Sequence, residues 1–307
     1  MKKIFLLIAL ALTCKWAAAQ DEAIFMHYLV SPILINPAAA GFQEGLQLQA
    51  NARAQWTGFE DSPKTYGALA NSPIGKTFGL GVGVLSEQAA QLNRMRVQLN
   101  TAFRFRIREN IKLGIGFGTE YQRMVVSNDV SNNNFFQGGD DLLDDFLNGK
   151  GVFDATIGIY GAYLERTYVG LTFNNLVRNR LDDIANSNNN DNGSFLKYYT
   201  FNVGHRFDLA DLNVNLEPSI LFRQIKDVPF QMDVNLKAGF MQDQLIAGLS
   251  YRSIGALGIL LGTKISTFNL YYSYDVSFQR FQRFNTGSHE LSLSFTLKPK
   301  EKAIKGY

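Results

Sequence analysis

The tripeptide Ser288-His289-Glu290 carries the side chains of a hydrolase triad: a hydroxyl nucleophile, an imidazole base and a carboxylate that could orient the base. It lies in a stretch that alternates apolar and polar residues, and consecutive residues of a strand point to opposite faces. A working triad needs all three groups within hydrogen-bond reach of one another. The tripeptide alone cannot provide that arrangement, so we predict that the protein is not an enzyme.

Two long stretches rich in Asn, Asp and Gly contain oxygen ligands of the kind that Ca²⁺ prefers. They include Asp140-Asp141, Asp144-Asp145, Asp182-Asp183 and the run 188–192. The spacing of an EF-hand loop does not occur in them. Solvated loops are therefore the simpler interpretation, calcium binding is the alternative, and no cofactor or structural metal is predicted.

The first 19 residues resemble an export signal. Lys2 and Lys3 precede the apolar run 4–12, and Ala17-Ala18-Ala19 offers small residues to a signal peptidase. We predict cleavage after Ala19; acylation at Cys14, which would make the chain a lipoprotein, is the alternative. Cys14 is the only cysteine, so the exported chain would contain neither a disulfide nor a thiolate site.

The charge of the chain gives no reason to expect a nucleic-acid partner. The formal net charge is +3, and the predicted signal contains three lysines and no acid. Removal of the signal would leave no net charge to attract phosphates.

Period-two alternation runs through almost the whole chain and predicts antiparallel strands. In the stretch 97–107, one parity is apolar and the other mostly polar: Val97, Leu99, Thr101, Phe103, Phe105 and Ile107 against Gln98, Asn100, Ala102, Arg104 and Arg106. The next alternating stretch, 111–121, begins after a gap of hairpin length. No segment approaches the about 20 apolar residues of a membrane helix.

Counting such stretches predicts about fourteen strands, an even number that suits an all-β, transmembrane, antiparallel up-and-down barrel of an outer membrane. Their ranges are 46–56, 64–71, 77–87, 94–107, 111–124, 151–164, 167–176, 197–208, 211–224, 229–240, 243–252, 256–265, 267–279 and 287–297. Alternate connections are short, whereas 125–150 and 177–196 are long. Short periplasmic turns and long outer loops are the expected asymmetry.

The side chains that alternate with the apolar ones should face the lumen, and they carry both signs of charge. Arg104 and Glu217 are among them. We interpret the whole set as an internal polar network, with a selective pore as the alternative: Arg104, Arg106, Lys112, Arg223, Lys237, Lys264, Glu120, Glu217, Asp233, Asp275 and Glu290. Aromatic residues near the outer strand ends, such as Tyr198, Tyr199 and Phe278, are predicted to form a membrane-interface belt.

The segment from Phe25 to Gly41 combines apolar residues with two prolines, which restrict the backbone, and it has no predicted strand partner. Its run Phe25-Met26-His27-Tyr28…Asn36-Pro37-Ala38-Ala39-Ala40-Gly41 resembles the opening of the PorP/SprF family of Bacteroidota outer-membrane proteins. Ser31-Pro32 stands where Asn-Pro is usual, and Asp21-Glu22 replaces Asp-Pro. The resemblance continues through Gln55-Trp56 and Gly79-Leu80-Gly81 to the strand that starts at His289, and so covers essentially the whole exported chain.

The resemblance implies a part in the type IX secretion system and its gliding-motility branch. Expected partners are a secreted adhesin or cargo with a C-terminal sorting domain, other secretion components including periplasmic peptidoglycan-linked proteins, and outer-membrane lipid. The expected organisation is a signal peptide at 1–19, an N-terminal periplasmic or plug segment at 20–45, a barrel at 46–297 and a periplasmic tail at 298–307.

Two functions are therefore expected as alternatives. In the first, the barrel retains secreted proteins at the cell surface; in the second, it is a porin-like channel or transporter for small or hydrophobic compounds. Since fold alone does not decide function, we select candidate residues for partner binding or for a plug: Phe25, Tyr28, Pro32, Asn36, Pro37 and Gly41 in the opening segment, and Phe135, Phe136 and Phe146 in the first long loop.

Overall fold

A computed structural model describes residues 25–127, 145, 147–177, 198–225, 228–278 and 286–298. Three short 3-10 helices, Met26–Leu29, Pro32–Leu34 and Pro37–Ala39, precede the first strand. The strands that follow are β1 Leu46–Ala54, β2 Lys64–Ile74, β3 Phe78–Ala89, β4 Leu92–Arg108, β5 Ile111–Val126, β6 Lys150–Tyr163, β7 Thr167–Phe173, β8 Tyr199–His205, β9 Phe207–Leu209, β10 Val214–Gln224, β11 Gln231–Phe240, β12 Leu245–Arg252, β13 Ala256–Ile265, β14 Phe268–Ser277 and β15 Ser288–Leu297.

These strands form one antiparallel sheet that closes on itself. β15 pairs with β1, and β10 joins β8 to β11. β8 and β9 pair with the same strand, β10, and are the two parts of one interrupted strand, so the barrel has fourteen strands. The interruption lies opposite Pro218, which has no N–H to donate to the facing strand. The predicted fold class is confirmed.

The observed strand ends differ from the predicted ones by a few residues. β2 continues to Ile74, beyond the predicted end at 71, because Pro73 still pairs with Gly79. Leu212, predicted to lie in a strand, ends a 3-10 turn instead, and Asn213 has a φ of 50° that turns the chain before β10 begins. The prediction for these positions was wrong because alternation alone does not detect a turn.

The wall of the barrel is apolar outside and polar inside, as the alternation predicted. Phe103, on the outer face, is 47% exposed, whereas the inner side chain of Gln122 is 2% exposed. A soluble protein would bury an apolar side chain such as that of Phe103 and expose a polar one such as that of Gln122. An apolar band around a polar interior is typical of a barrel whose outer face contacts lipid. Among the described residues, no helix is long and apolar enough to cross a membrane.

The two ends of the barrel differ in their connections. Residues 75–77, 109–110, 164–166, 210–213, 241–244 and 266–267 connect strands at one end, called the short-turn end. The connections 127–149 and 174–198 lie at the other end, called the long-loop end. The segment that precedes β1 therefore reaches the wall at the short-turn end.

Candidate functional site

Residues 25–42, called the N-terminal segment, begin inside the barrel near the long-loop end. The backbone N–H of Met26 donates to Glu290 Oε2 at 2.8 Å. Glu290 faces Arg53, the last residue but one of β1. Met26 therefore lies near the C-terminal end of β1, which is at the long-loop end.

The same segment leaves the lumen at the short-turn end. The N–H of Gly41 donates to Asn71 Oδ1 at 2.7 Å, and Arg104 donates to the carbonyl oxygen of Gly41. The ring of Phe42 packs edge-on against Tyr160, with ring centroids 4.8 Å apart. The segment therefore runs along the lumen from the long-loop end to the short-turn end before β1 begins.

Glycines in the wall make room for the backbone of this segment. A Cβ on Gly116 would lie 2.1 Å from the nitrogen of Ala38, and one on Gly79 would lie 1.9 Å from the carbonyl oxygen of Ala40. Any other residue at these positions would collide with backbone atoms, which cannot rotate away. The 3-10 turn at Pro37–Ala39 is therefore in direct contact with the wall.

Asn36 and Pro37 fix the start of that turn. The Asn36 side chain accepts a hydrogen bond from the N–H of Ala38 and donates one to the carbonyl oxygen of Ile159, both at 2.9 Å. Pro37 occupies the first position of the turn, where a missing N–H costs nothing. This Asn-Pro pair therefore both caps a turn and attaches it to β6.

A buried cluster of charged side chains lies beside the start of the N-terminal segment. Arg53 contacts Glu290 at 3.0 Å and Asp275 at 2.9 Å, while Arg252 contacts Asp275 at 3.2 Å and Asp233 at 3.5 Å. Each buried charge therefore has a charge of opposite sign beside it, which offsets the cost of removing it from water. The predicted internal network is confirmed for the three acids, but the two arginines were not among the predicted residues.

Two side chains of the segment bind to this cluster. His27 Nδ1 lies 3.0 Å from Glu290 Oε1. Burial lowers the pKa of His27 to about 3, with a further contribution from the charge of Arg53, so the ring is neutral at neutral pH. The same nitrogen, Nδ1, also lies within hydrogen-bond distance of Ser292 Oγ. Tyr28 donates to Asp233 at 3.4 Å.

Ser288, His289 and Glu290 do not form a triad. Ser288 Oγ accepts a hydrogen bond from the N–H of Trp56 at 3.1 Å, and His289 contacts the Tyr272 hydroxyl on the outer face at 2.8 Å. Glu290 faces the lumen instead. Among the residues that the structure describes, no group of three or more His, Cys, Asp and Glu is arranged to hold a metal ion.

The short-turn half of the lumen is a cavity of about 880 Å³, called the vestibule. Val30 to Ile33 of the N-terminal segment line it on one side, and its lining also includes turn residues such as Glu165 and Asp243. Lys112 donates to Glu165 and holds the pKa of that carboxyl below its usual range. On the same wall Arg206 contacts Asp243 at 2.8 Å.

Arg104 and Glu217 both face inward, as predicted from their parity. Arg104 donates to the N-terminal segment, and Glu217 contacts Lys237 at 2.9 Å on the vestibule wall. A one-residue slip of register would have turned both side chains toward lipid.

The candidate residues of the opening segment lie inside the barrel: Phe25, Tyr28, Pro32, Asn36, Pro37 and Gly41. Phe25 lines a smaller cavity of about 170 Å³ on the long-loop side of the segment. Phe135, Phe136 and Phe146 lie outside the described residues, as do most of the acidic pairs. Of those pairs, Asp145 is described and contacts Lys150 at 3.6 Å.

A membrane-interface belt requires aromatic side chains on the outer face of the barrel. Phe278 is 64% exposed, but Tyr198 is only 7% exposed and lines the inner cavity beside Phe25. Tyr198 immediately precedes β8, where strand parity no longer fixes the direction of a side chain.

Solved outer-membrane barrels are similar to the chain in fold. A deletion mutant of the TodX monoaromatic hydrocarbon channel has a TM-score of 0.53 and 7% identity, over 90% of this chain and 95% of that one. The toluene transporter TbuX of Ralstonia pickettii has a TM-score of 0.51 and 9% identity, over 87% and 93%. The CymD monoaromatic hydrocarbon channel has a TM-score of 0.51 and 11% identity, over 92% and 95%. Such identities support the fold alone.

No curated protein matches the chain. Residues 17–295 match the family described as type IX secretion system membrane protein PorP/SprF. This match covers nearly the whole chain, and together with the closed barrel it assigns the protein to the outer membrane. The chain therefore belongs to the PorP/SprF family of type IX secretion system membrane proteins.

Proposed function

We propose that this barrel is a non-enzymatic component of the secretion machinery that retains secreted proteins, such as an adhesin or cargo with a C-terminal sorting domain, at the cell surface. The observation that carries the proposal is the N-terminal segment, which crosses the lumen between Glu290 and Asn71 in a member of a secretion family. A segment inside the lumen obstructs passage through the barrel, which supports a role for the exposed surfaces.

A channel or transporter is the alternative function. Among the solved barrels of similar fold, TodX is a monoaromatic hydrocarbon channel and TbuX is a toluene transporter. For this chain, passage would require the segment to move away from glycines such as Gly116, against which its backbone is packed. That contact favours retention over transport.

The proposed attachment point is the pair of long outer loops, 125–150 and 177–196. In rigid barrels the connections carry function more often than the wall does. The first loop combines polar residues with large apolar side chains, which form a docking patch if they are exposed: Phe135, Phe136, Leu142, Leu143, Phe146 and Leu147.

Replacing these six residues by serine tests the proposal. We expect the variant to fold as a heat-modifiable barrel and to release the secreted protein into the medium. A matched control replaces the asparagines of the run 188–190 by serine, which removes no apolar surface, and should retain the secreted protein. Wild-type retention by the folded six-residue variant would exclude this loop from the mechanism.

A further inference from the structure

Residues 25–35 of the N-terminal segment, called the arm, separate two cavities. The vestibule is lined by four residues of the arm: Val30, Ser31, Pro32 and Ile33. The smaller cavity on the long-loop side is lined by five: Phe25, Tyr28, Ile33, Leu34 and Ile35. Ile33 lines both cavities, so at this point only the thickness of one chain lies between them.

The rest of the segment, residues 36–42, contacts the wall through its backbone. Its 3-10 turn, Pro37–Ala39, lies against β4, β5 and β6. The nitrogen of Ala38 and the carbonyl oxygen of Ala40 occupy the space that a side chain would need at wall glycines such as Gly116. Leaving the wall would therefore require two closely packed backbones to separate along three strands.

The arm is held to the opposite side of the barrel mainly by side chains. Met26 packs against Leu260, and both are fully buried. A Cβ on Gly258 would lie 2.9 Å from Met26 Sδ, which is near the flexible end of a side chain rather than in the backbone. The N–H groups of Met26 and His27 donate to the carboxylate of Glu290. These contacts can separate without movement of a strand.

Lys237 connects the arm to the wall of the vestibule. Its Nζ donates to the carbonyl oxygen of Leu29 at 2.9 Å and lies 2.9 Å from Glu217 Oε2. Tyr168 donates to the other oxygen of Glu217 at 3.1 Å. A hydrogen bond from a charged donor is stronger than one between neutral groups. Lys237 is therefore a contact whose loss should favour release of the arm.

We propose that the arm is a gate that detaches from the barrel wall while residues 36–42 remain in place. Every described strand follows the arm in sequence, so its release requires backbone movement only at its junction with Asn36. Release joins the vestibule to the long-loop side by a path for water and small ions, because the turn Pro37–Ala39 stays in the lumen. This inference goes beyond surface retention and is measured on the purified barrel.

Single cysteines measure release of the arm. Cys14 is the only cysteine and lies in the predicted signal, so an exported variant carries one thiol. Leu29→Cys and Ala39→Cys replace equally buried residues, each 5% exposed. In the detergent-purified protein, we expect a charged maleimide to label position 29 about tenfold faster than position 39, since labelling follows the population of the open state.

Met26→Cys repeats the measurement at the start of the arm, should Leu29→Cys fail to fold. Heat-modifiable migration reports folding, and labelling in denaturant corrects for the reactivity of each thiol. Equal labelling of the arm and of position 39 in folded variants would overturn the proposal.

Variants of the vestibule wall test the part played by Lys237. Lys237→Met combined with Glu217→Gln removes the donor to Leu29 without leaving a carboxylate unpaired. It should raise labelling at position 29 about tenfold, as expected for the loss of a charge-assisted hydrogen bond, and leave position 39 unchanged. Glu217→Gln alone is the matched control, because Lys237 can still donate to Leu29. Equal labelling in the single and double variants would contradict the role of Lys237.

Conductance in planar bilayers tests whether the arm is the partition. Deletion of residues 20–35 removes the arm and keeps the turn Pro37–Ala39 in the lumen. We expect this variant to conduct more than the full chain and less than a chain that lacks residues 20–41. A folded variant without residues 20–35 that conducts no more than the full chain would overturn the proposal.

Discussion

Replacing Gly116 by alanine tests whether the N-terminal segment is packed against the wall. The new Cβ would lie 2.1 Å from the nitrogen and 2.3 Å from the Cα of Ala38. Both are backbone atoms, so either the segment or β5 must shift. Such overpacking costs about 1–3 kcal/mol.

Gly83 provides the matched control. It also faces inward, on β3, but a Cβ there would meet its nearest atom, Leu69 Cδ1, at 3.4 Å, which is an ordinary contact. We expect Gly83→Ala to change the free energy of unfolding by less than about 0.5 kcal/mol. Unfolding of both variants is followed in detergent by denaturant titration and heat-modifiable migration.

The same substitution in a chain without the N-terminal segment separates an effect on the segment from an effect on the wall. In a chain lacking residues 25–42, the loss caused by Gly116→Ala should disappear, because no backbone remains for the methyl group to meet. An equal loss in both backgrounds would mean that the alanine disturbs β5 itself. No loss in the full chain would refute the packing described here.

Three further results follow from the same structure. The reconstituted full chain should conduct poorly in planar bilayers, and deletion of residues 20–41 should increase the conductance; a large conductance that is the same before and after deletion would contradict a closed lumen. The pKa of His27 is lowered to about 3 in the folded chain, so between pH 6.5 and 3 this proton binds to the unfolded chain only. The free energy of unfolding should therefore fall over that range. A pH titration of the unfolding midpoint should show a smaller decrease for His27→Gln. Arg53→Met should cost about 3–5 kcal/mol of unfolding free energy, since Glu290 loses its arginine and Asp275 keeps only Arg252, whereas Arg53→Lys should cost less.

The barrel wall could be predicted from sequence because each side chain of a strand points either to the outer face or to the lumen. Phe103 and Arg104 are adjacent, so their side chains point to opposite faces of the wall. The apolar one faces lipid and the charged one faces the polar lumen. The same rule does not apply where a strand ends. Leu212 and Tyr198 were therefore assigned wrongly.

The path of the N-terminal segment could not be derived from alternation. Its prolines and apolar residues indicate burial, but they do not tell which end of the lumen Met26 reaches. That depends on Glu290, which is distant in sequence. The glycines that receive the segment, such as Gly116, look in the sequence like any other strand glycine.

Three of the five residues of the charged cluster were predicted, and the two arginines were missed for a similar reason. Glu290 and Asp275 lie in long alternating stretches, whereas Arg53 lies between Ala52 and Ala54, where small residues weaken the alternation. Arg53 was identifiable by its parity within β1. Its partners became apparent only once β15 was paired with β1.

Retention at the cell surface is tested most directly by deleting this chain from its native cell and measuring where secreted sorting-domain proteins accumulate. The proposed function predicts that at least one such protein moves from the cell surface to the culture medium, and that the wild-type chain supplied in trans restores it to the surface. Secreted proteins that stay on the surface in normal amounts without the barrel would contradict the proposed function.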